Sequence, residues 1–258
     1  MSLARLARIV ALSLAAAATA CGGGGSGGAV PQPANADINV LMFGNSHTVA
    51  NGLPSMLGAM LRAGRPGKTV AMSVAPGILF LDERLRDSTS MALFNSRKWS
   101  AVVLQAQRYS SSGTVSYSIE EAVELVRLTR LTAALPVMFP EWPRRSIDET
   151  QAIFDLHVSI ATRQPACVPP IPQAFDLAGM RYPGLVLLDA DGNHSAPPGA
   201  FLAALVLYGT LTGSSPLALP ALDGVGVDAA VQANLRAVAD DQLKLLSARL
   251  YCPHDGTL

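Results

Sequence analysis

Ser46, Asp191 and His194 are the residues of this chain whose types and spacing fit a covalent reaction. A serine hydroxyl is a weak nucleophile until a neighbouring base takes its proton. Histidine is the usual base, and a carboxylate on its other ring nitrogen fixes its tautomer and orientation. Asp191 and His194 stand three apart in Asp191-Gly192-Asn193-His194, so one turn can bring the carboxylate to the ring. Asp189 is a second carboxylate with worse spacing to His194. Such a trio attacks carbonyls, and the oxyanion that develops must be met by donors, either backbone N–H groups or an amide.

Ser46 follows Ile38-Asn39-Val40-Leu41-Met42-Phe43, an apolar β-type run closed by Gly44-Asn45. A helix-like segment comes next, so the serine is expected on the turn leaving a parallel strand. In open α/β sheets that turn, at the carboxyl ends of the strands, is where ligands bind. The rest of the chain alternates in the same way. Strands are expected at 38–43, 69–74, 99–105 and 135–139, with short extended runs at 167–171 and 185–188. Prolines interrupt the run at 167–171 and place it at or near an edge. Helices are expected at 53–63, in two pieces over 80–95, after a Ser118/Glu121 capping box, and at 148–162. A further helix, opened by Ser195, Pro197 and Pro198, runs to 211, and a last one covers 228–250. Strands alternating with helices imply a parallel sheet covered on both faces. Residues 38–258 show no internal repeat and no second domain boundary.

The chain has 258 residues, enough for one domain with a sizeable core. Its formal net charge is zero, so no electrostatic reason points to a nucleic-acid partner. Four histidines and three scattered cysteines show no metal-ligand spacing, and neither a metal nor a cofactor is expected. Cys167 and Cys252 either form a disulfide that ties a late strand to the C-terminal tail or remain two buried thiols.

Residues 1–20 read as a secretory signal: Arg5 and Arg8, then an apolar run over 9–18 that is too short to span a bilayer. Ala18-Thr19-Ala20-Cys21 resembles a bacterial lipobox, with alanine where leucine is commoner. Cys21 would then be lipidated, and an ordinary cleaved signal is the competing reading. Residues 21–37 are a Gly/Ser/Pro-rich tether of flexible coil. The protein is therefore expected to be exported, as a periplasmic or cell-surface lipoprotein that meets the membrane through its lipid anchor only.

The motif around Ser46, Gly-Asn-Ser-His-Thr, is not Gly-x-Ser-x-Gly, which argues against an α/β-hydrolase elbow. Gly-Asn-Ser early and Asp-x-x-His late instead resemble the SGNH/GDSL hydrolase superfamily, in motif order over roughly residues 38–216. The likeness is strongest to a bacterial branch whose first block reads Gly-Asn-Ser. Its Trp-x-x-Val-Val-Leu-Gln block is matched from Trp99 to Gln105. Its last block, Asp-Gly-x-His-Ser followed by a small-residue helix and Leu-Thr-Gly-x-x-Pro, is matched from Asp191 to Pro216.

The resemblance implies a single flavodoxin-like three-layer α/β/α domain with a mostly parallel five-stranded sheet. It makes Ser46 the nucleophile, His194 the base and Asp191 its partner. Gly77, after Ala75-Pro76, would add its N–H to that of Ser46 in the oxyanion hole. Where the superfamily has Gly-x-Asn-Asp, this chain has Gln105-Ala106-Gln107-Arg108. Aligned strand ends put Gln107 opposite the asparagine, with Gln105 the rival. A glutamine amide donates as asparagine does but costs more ordering.

The implied activity is a serine esterase on short-chain acyl esters, carbohydrate acetyl esters among them. The missing asparagine leaves open a non-catalytic, glycan-binding surface lipoprotein, and an acyltransferase is a third reading. Other residues carry two readings each. His47 serves packing or substrate contact, Trp142 serves the core or stacks on a sugar or acyl group, and His157 is structural or solvated. The loop from Arg108 to Gly113 lines a cleft or is simply solvated.

Overall fold

β1 (Ile38–Phe43) alternates between two buried faces: Val40 and Met42 enter one apolar core, Leu41 and Phe43 the other. In this computed structural model, which describes residues 36–258, β1 runs straight into α1 (Ser46–Val49). A single 3₁₀ turn then leads to α2 (Leu53–Gly64), whose Pro54 sits in the first turn, where a missing N–H costs little. β2 (Val70–Val74), α3 (Leu81–Arg84), α4 (Ser88–Phe94) and β3 (Ala101–Leu104) follow. Next come α5 (Glu120–Leu131), β4 (Leu135–Met138), α6 (Thr150–Arg163) and α7 (Ile171–Arg181). The chain closes with α8 (Pro197–Thr212) and α9 (Ala229–Leu245).

The sheet order is β2-β1-β3-β4 and all pairings are parallel. The chain leaves β1 toward β2, then crosses back over β1 to reach β3. The order therefore reverses between β1 and β3, and a crevice opens at their carboxyl ends, where open α/β sheets take ligands. Helices α2, α7, α8 and α9 pack on one face, and α3 to α6 on the other. α8 is apolar all round and buried from Gly199 to Thr212, so it forms the middle of its layer. A Cβ at Gly199 would strike the carbonyl of Leu187, so the segment before Asp191 lies this close to α8 only because residue 199 lacks a side chain.

Three features differ from the sequence expectation. The sheet has four strands, not five: Cys167 joins β4 only through one parallel bridge to Val137. Pro169 and Pro170 come directly after and have no N–H to extend a ladder. From there the chain turns into α7, which the strand pattern did not announce. The final helix stops at Leu245, and turns occupy most of 246–254.

Cys167 and Cys252 are joined in a disulfide with Cα atoms 5.0 Å apart, which fastens the strand remnant to the C-terminal tail. No helix among the described residues is long and apolar enough to cross a membrane. The segment expected to be a signal, the expected lipidation site Cys21 and nearly all of the expected tether lie outside the described residues.

Candidate active site

Ser46 is the first residue of α1, at the carboxyl end of β1. Asn45 caps that helix, its Oδ1 accepting the N–H of His47 at 3.0 Å. Residues 189–194 form a tight turn just before α8. Its ends are tied by the N–H of Asp189 donating to the carbonyl of His194 and by a bridge between Leu188 and Ser195. Within the turn Asp191 Oδ1 accepts the N–H groups of Asn193 and His194 at 2.9 and 3.0 Å. Its Oδ2 accepts from His194 Nδ1 at 2.5 Å. The hydrogen bond from the His194 ring, then those two backbone N–H groups, hold the Asp191 carboxyl well below the usual carboxylate range. Nδ1 therefore carries the ring hydrogen, and Nε2 turns its lone pair to Ser46 Oγ at 2.9 Å. The two residues are 148 positions apart in sequence.

Asp189 has another partner. Its carboxylate accepts from Asn51 Nδ2 at 3.3 Å, and the same amide donates to the carbonyl of Ser195. Asn51 thus clips the histidine turn to the segment after Ser46.

Gly77 lies at φ 80°, a left-handed conformation that favours glycine. Its N–H and that of Ser46 have no protein acceptor among the described residues. Arg84 holds this corner and was not singled out from the sequence. It is fully buried and donates to the carbonyls of Gly44, Pro76 and Gly77 at 2.5, 2.5 and 2.6 Å, and to Ser90 Oγ at 2.9 Å. A planar trans peptide places its N–H opposite its C=O, so gripping the Pro76 carbonyl turns the Gly77 N–H away from the guanidinium. The signal was present: Arg84 interrupts the Leu81/Leu85 stripe at helical spacing, a charge set on an apolar face.

The two glutamines point elsewhere. Gln105 is fully buried; its Oε1 accepts from Asn45 N–H and Thr48 Oγ1, each at 2.8 Å, and its Nε2 donates to Glu141 at 2.7 Å. A Cβ on Gly44 would collide with that Oε1, so a bare residue 44 is what lets β3 brace the serine turn. Ala106 stands between the glutamines at φ 75° and turns the chain sharply. Gln107 Nε2 donates to the carbonyls of Arg108 and Ser118 at 3.1 and 2.9 Å. Both of its amide hydrogens are thus taken by the main chain.

Trp142 is 1% exposed, stacked on Phe175 at 5.2 Å, and its Nε1 donates to the carbonyl of Asn193 at 2.8 Å. It is packing, with no face open to a sugar. His47 is also buried, between Trp142 and the His194 ring. His157 is buried on α6, its Nδ1 donating to the carbonyl of Ile153 at 2.8 Å. Arg108 stacks on Phe80 at 3.9 Å and pairs with Asp82 and Glu83. Beside the serine, a cavity of about 260 Å³ is lined by Asn45, His47, Phe80, Gln107, Tyr109 and Glu141 among others. Among the described residues no three His, Cys, Asp or Glu side chains are grouped to hold a metal ion.

No family model matches the chain, and no curated protein matches it. Solved structures do. A candidate SGNH hydrolase from Slackia heliotrinireducens is 24% identical with a TM-score of 0.54, over 66% of this chain and 97% of that one. A DUF4886 family protein from Bacteroides uniformis is 17% identical with a TM-score of 0.58, over 86% and 97%. TesA is 17% identical with a TM-score of 0.50, over 68% and 98%. The chain has the SGNH-hydrolase fold. On that fold the serine turn, the glycine after β2 and the late Asp-His turn all gather at one end of the sheet, across the crevice between β1 and β3.

Proposed function

We propose that this chain is a serine esterase in which Ser46 is the nucleophile, His194 the base and Asp191 its orienting carboxylate. The relay of 2.9 Å from Ser46 Oγ to His194 Nε2 and 2.5 Å from Nδ1 to Asp191 carries this reading. Ser46 Oγ attacks the ester carbonyl while Nε2 takes its proton. The carbonyl oxygen becomes an oxyanion between the N–H groups of Ser46 and Gly77, the former favoured further by the start of α1. Collapse breaks the bond to the alcohol oxygen, which receives the proton from His194, and leaves an acyl-Ser46. Water then repeats the sequence, losing a proton to His194 and releasing the acid.

Neither glutamine of the third block replaces the missing asparagine in this reading, since the Gln107 hydrogens are engaged by main-chain carbonyls and the Gln105 amide donates to Glu141. Two backbone donors serve instead. The polar lining of the adjoining cavity supports a short acyl group on a polar alcohol, carbohydrate acetyl esters included. The disulfide supports export to an oxidising compartment, and the lipobox-like Cys21 supports anchoring there. The test is hydrolysis of p-nitrophenyl acetate: Ser46→Ala is expected to lose turnover while its circular dichroism and unfolding midpoint stay unchanged. Turnover retained by that variant would exclude the mechanism.

A further inference from the structure

His47 is buried and Glu141 mostly so; both adjoin the candidate triad and have no part in the steps above. The carbonyl of Asn193, one residue before His194, is gripped from two sides, by Trp142 Nε1 at 2.8 Å and His47 Nε2 at 3.3 Å. The His47 ring also stacks on His194, centroids 5.0 Å apart and planes at 21°. On its other side His47 Nδ1 faces Asn45 Oδ1 at 3.3 Å and Glu141 Oε2 at 3.6 Å. The Asn45 oxygen is fixed in place because it accepts the His47 backbone N–H, which an amide nitrogen cannot do. Both ring nitrogens therefore face acceptors and no donor.

A neutral imidazole has a single N–H, so one nitrogen would direct its lone pair at an oxygen. One further proton removes the conflict. Placed on the ring, it lets both nitrogens donate. Placed on Glu141, it lets the carboxyl donate toward Nδ1 while Nε2 keeps its hydrogen. Either way Nε2 is the donor to Asn193.

We infer that His47 is a positioning residue for His194 and that Glu141 acts through it, the pair keeping a proton on His47 Nε2 so that this nitrogen holds the histidine turn. The inference rests on the reading of His194 as the base. Burial raises the Glu141 carboxyl, opposed by His47 and by the Gln105 amide. The other groups facing the pair are His194, with Asp191 behind it, and Tyr109, Arg144 and Glu149 on the Glu141 side. Arg144 and Glu149 pair with each other at 2.9 Å. When the shared proton leaves, the carboxylate draws the remaining ring hydrogen to Nδ1 and the His47 side of the grip on Asn193 is released, leaving Trp142 alone. Activity then falls on the alkaline side.

The experiment is the pH profile of kcat for Glu141→Gln beside the wild type, with His47→Phe measured at neutral pH. In Glu141→Gln the atom that accepts from Gln105 Nε2 and faces Nδ1 stays an oxygen, but it is neutral and can no longer share a proton with the ring, so the alkaline limb should move from its wild-type position or vanish. His47→Phe keeps the stacked ring but loses both N–H groups, and kcat should fall about tenfold to a hundredfold with KM little changed. A wild type without an alkaline limb, a limb unmoved in Glu141→Gln, or wild-type kcat in His47→Phe overturns the inference. Wild-type protein that accepts a fluorophosphonate on Ser46 yet gives those results loses only this inference. Protein that takes no label loses the esterase reading as well.

Discussion

Arg84 Nη2 donates to the carbonyl of Gly77 at 2.6 Å, from a side chain that has no exposed surface. The same guanidinium reaches the carbonyls of Gly44 and Pro76, so one cation fastens the turn after β1 to the turn after β2. A planar fork can span two turns in this way; an ammonium is a single point of donation. Arg84→Lys is expected to fold but to lose about tenfold to a hundredfold in kcat, because the Gly77 N–H is no longer held in place. Arg84→Met leaves several buried carbonyls unmet and is expected to destabilise by about 3–5 kcal/mol. Ester turnover and urea unfolding of the two variants separate these effects.

Asp191 is partly exposed yet its carboxyl is held low by the His194 ring and two backbone N–H groups. It remains ionised through the whole working range, so any acid loss of activity is not its titration. Asp191→Asn should lower kcat about ten-thousandfold, since an amide in that place permits the wrong imidazole tautomer. The kcat of the purified variant against pH checks both statements.

His157 supplies a stability signature away from the site. Burial pushes its ring from 6.5 down to about 4. Between those values the unfolded chain binds a proton that the folded one refuses, so stability rises with pH across this window and is lost as pH falls. The contribution is about 3 kcal/mol. Urea midpoints at pH 7 and pH 4.5, compared with those of His157→Leu, isolate it. The wild type should lose more stability than the variant over that interval.

The Cys167–Cys252 disulfide closes a loop of sequence separation 85. In the chain-entropy account such a loop contributes about 4.6 kcal/mol through the unfolded state. Cys252→Ser, or reduction of the wild type, should lower the melting temperature by several degrees or more, read by circular dichroism with and without dithiothreitol.

Most of the architecture was legible in the sequence because period and punctuation agreed. Ala101-Val102-Val103-Leu104 reads as a strand buried on both faces, and it is one. The fifth strand was misread because Cys167 and Val168 look extended, while the prolines that follow decide the matter in favour of α7. Pro172 serves there as a first-turn residue rather than a strand breaker. At the site, Asp-x-x-His foretold its own turn, since its geometry is local. The destinations of Gln105 and Gln107 were not legible: they depend on the left-handed turn at Ala106 and on hydrogen-bond partners as far as 60 residues away. The partners of Arg84 were hidden for the same reason, because the carbonyls it binds are brought together only by the parallel pairing of β1 and β2.

The most direct measurement is to treat the protein with a fluorophosphonate and locate the adduct by peptide mass spectrometry. The account predicts a single modification, on Ser46, that is lost in His194→Ala. A folded wild-type protein that remains unmodified, or one modified at another residue, would contradict it.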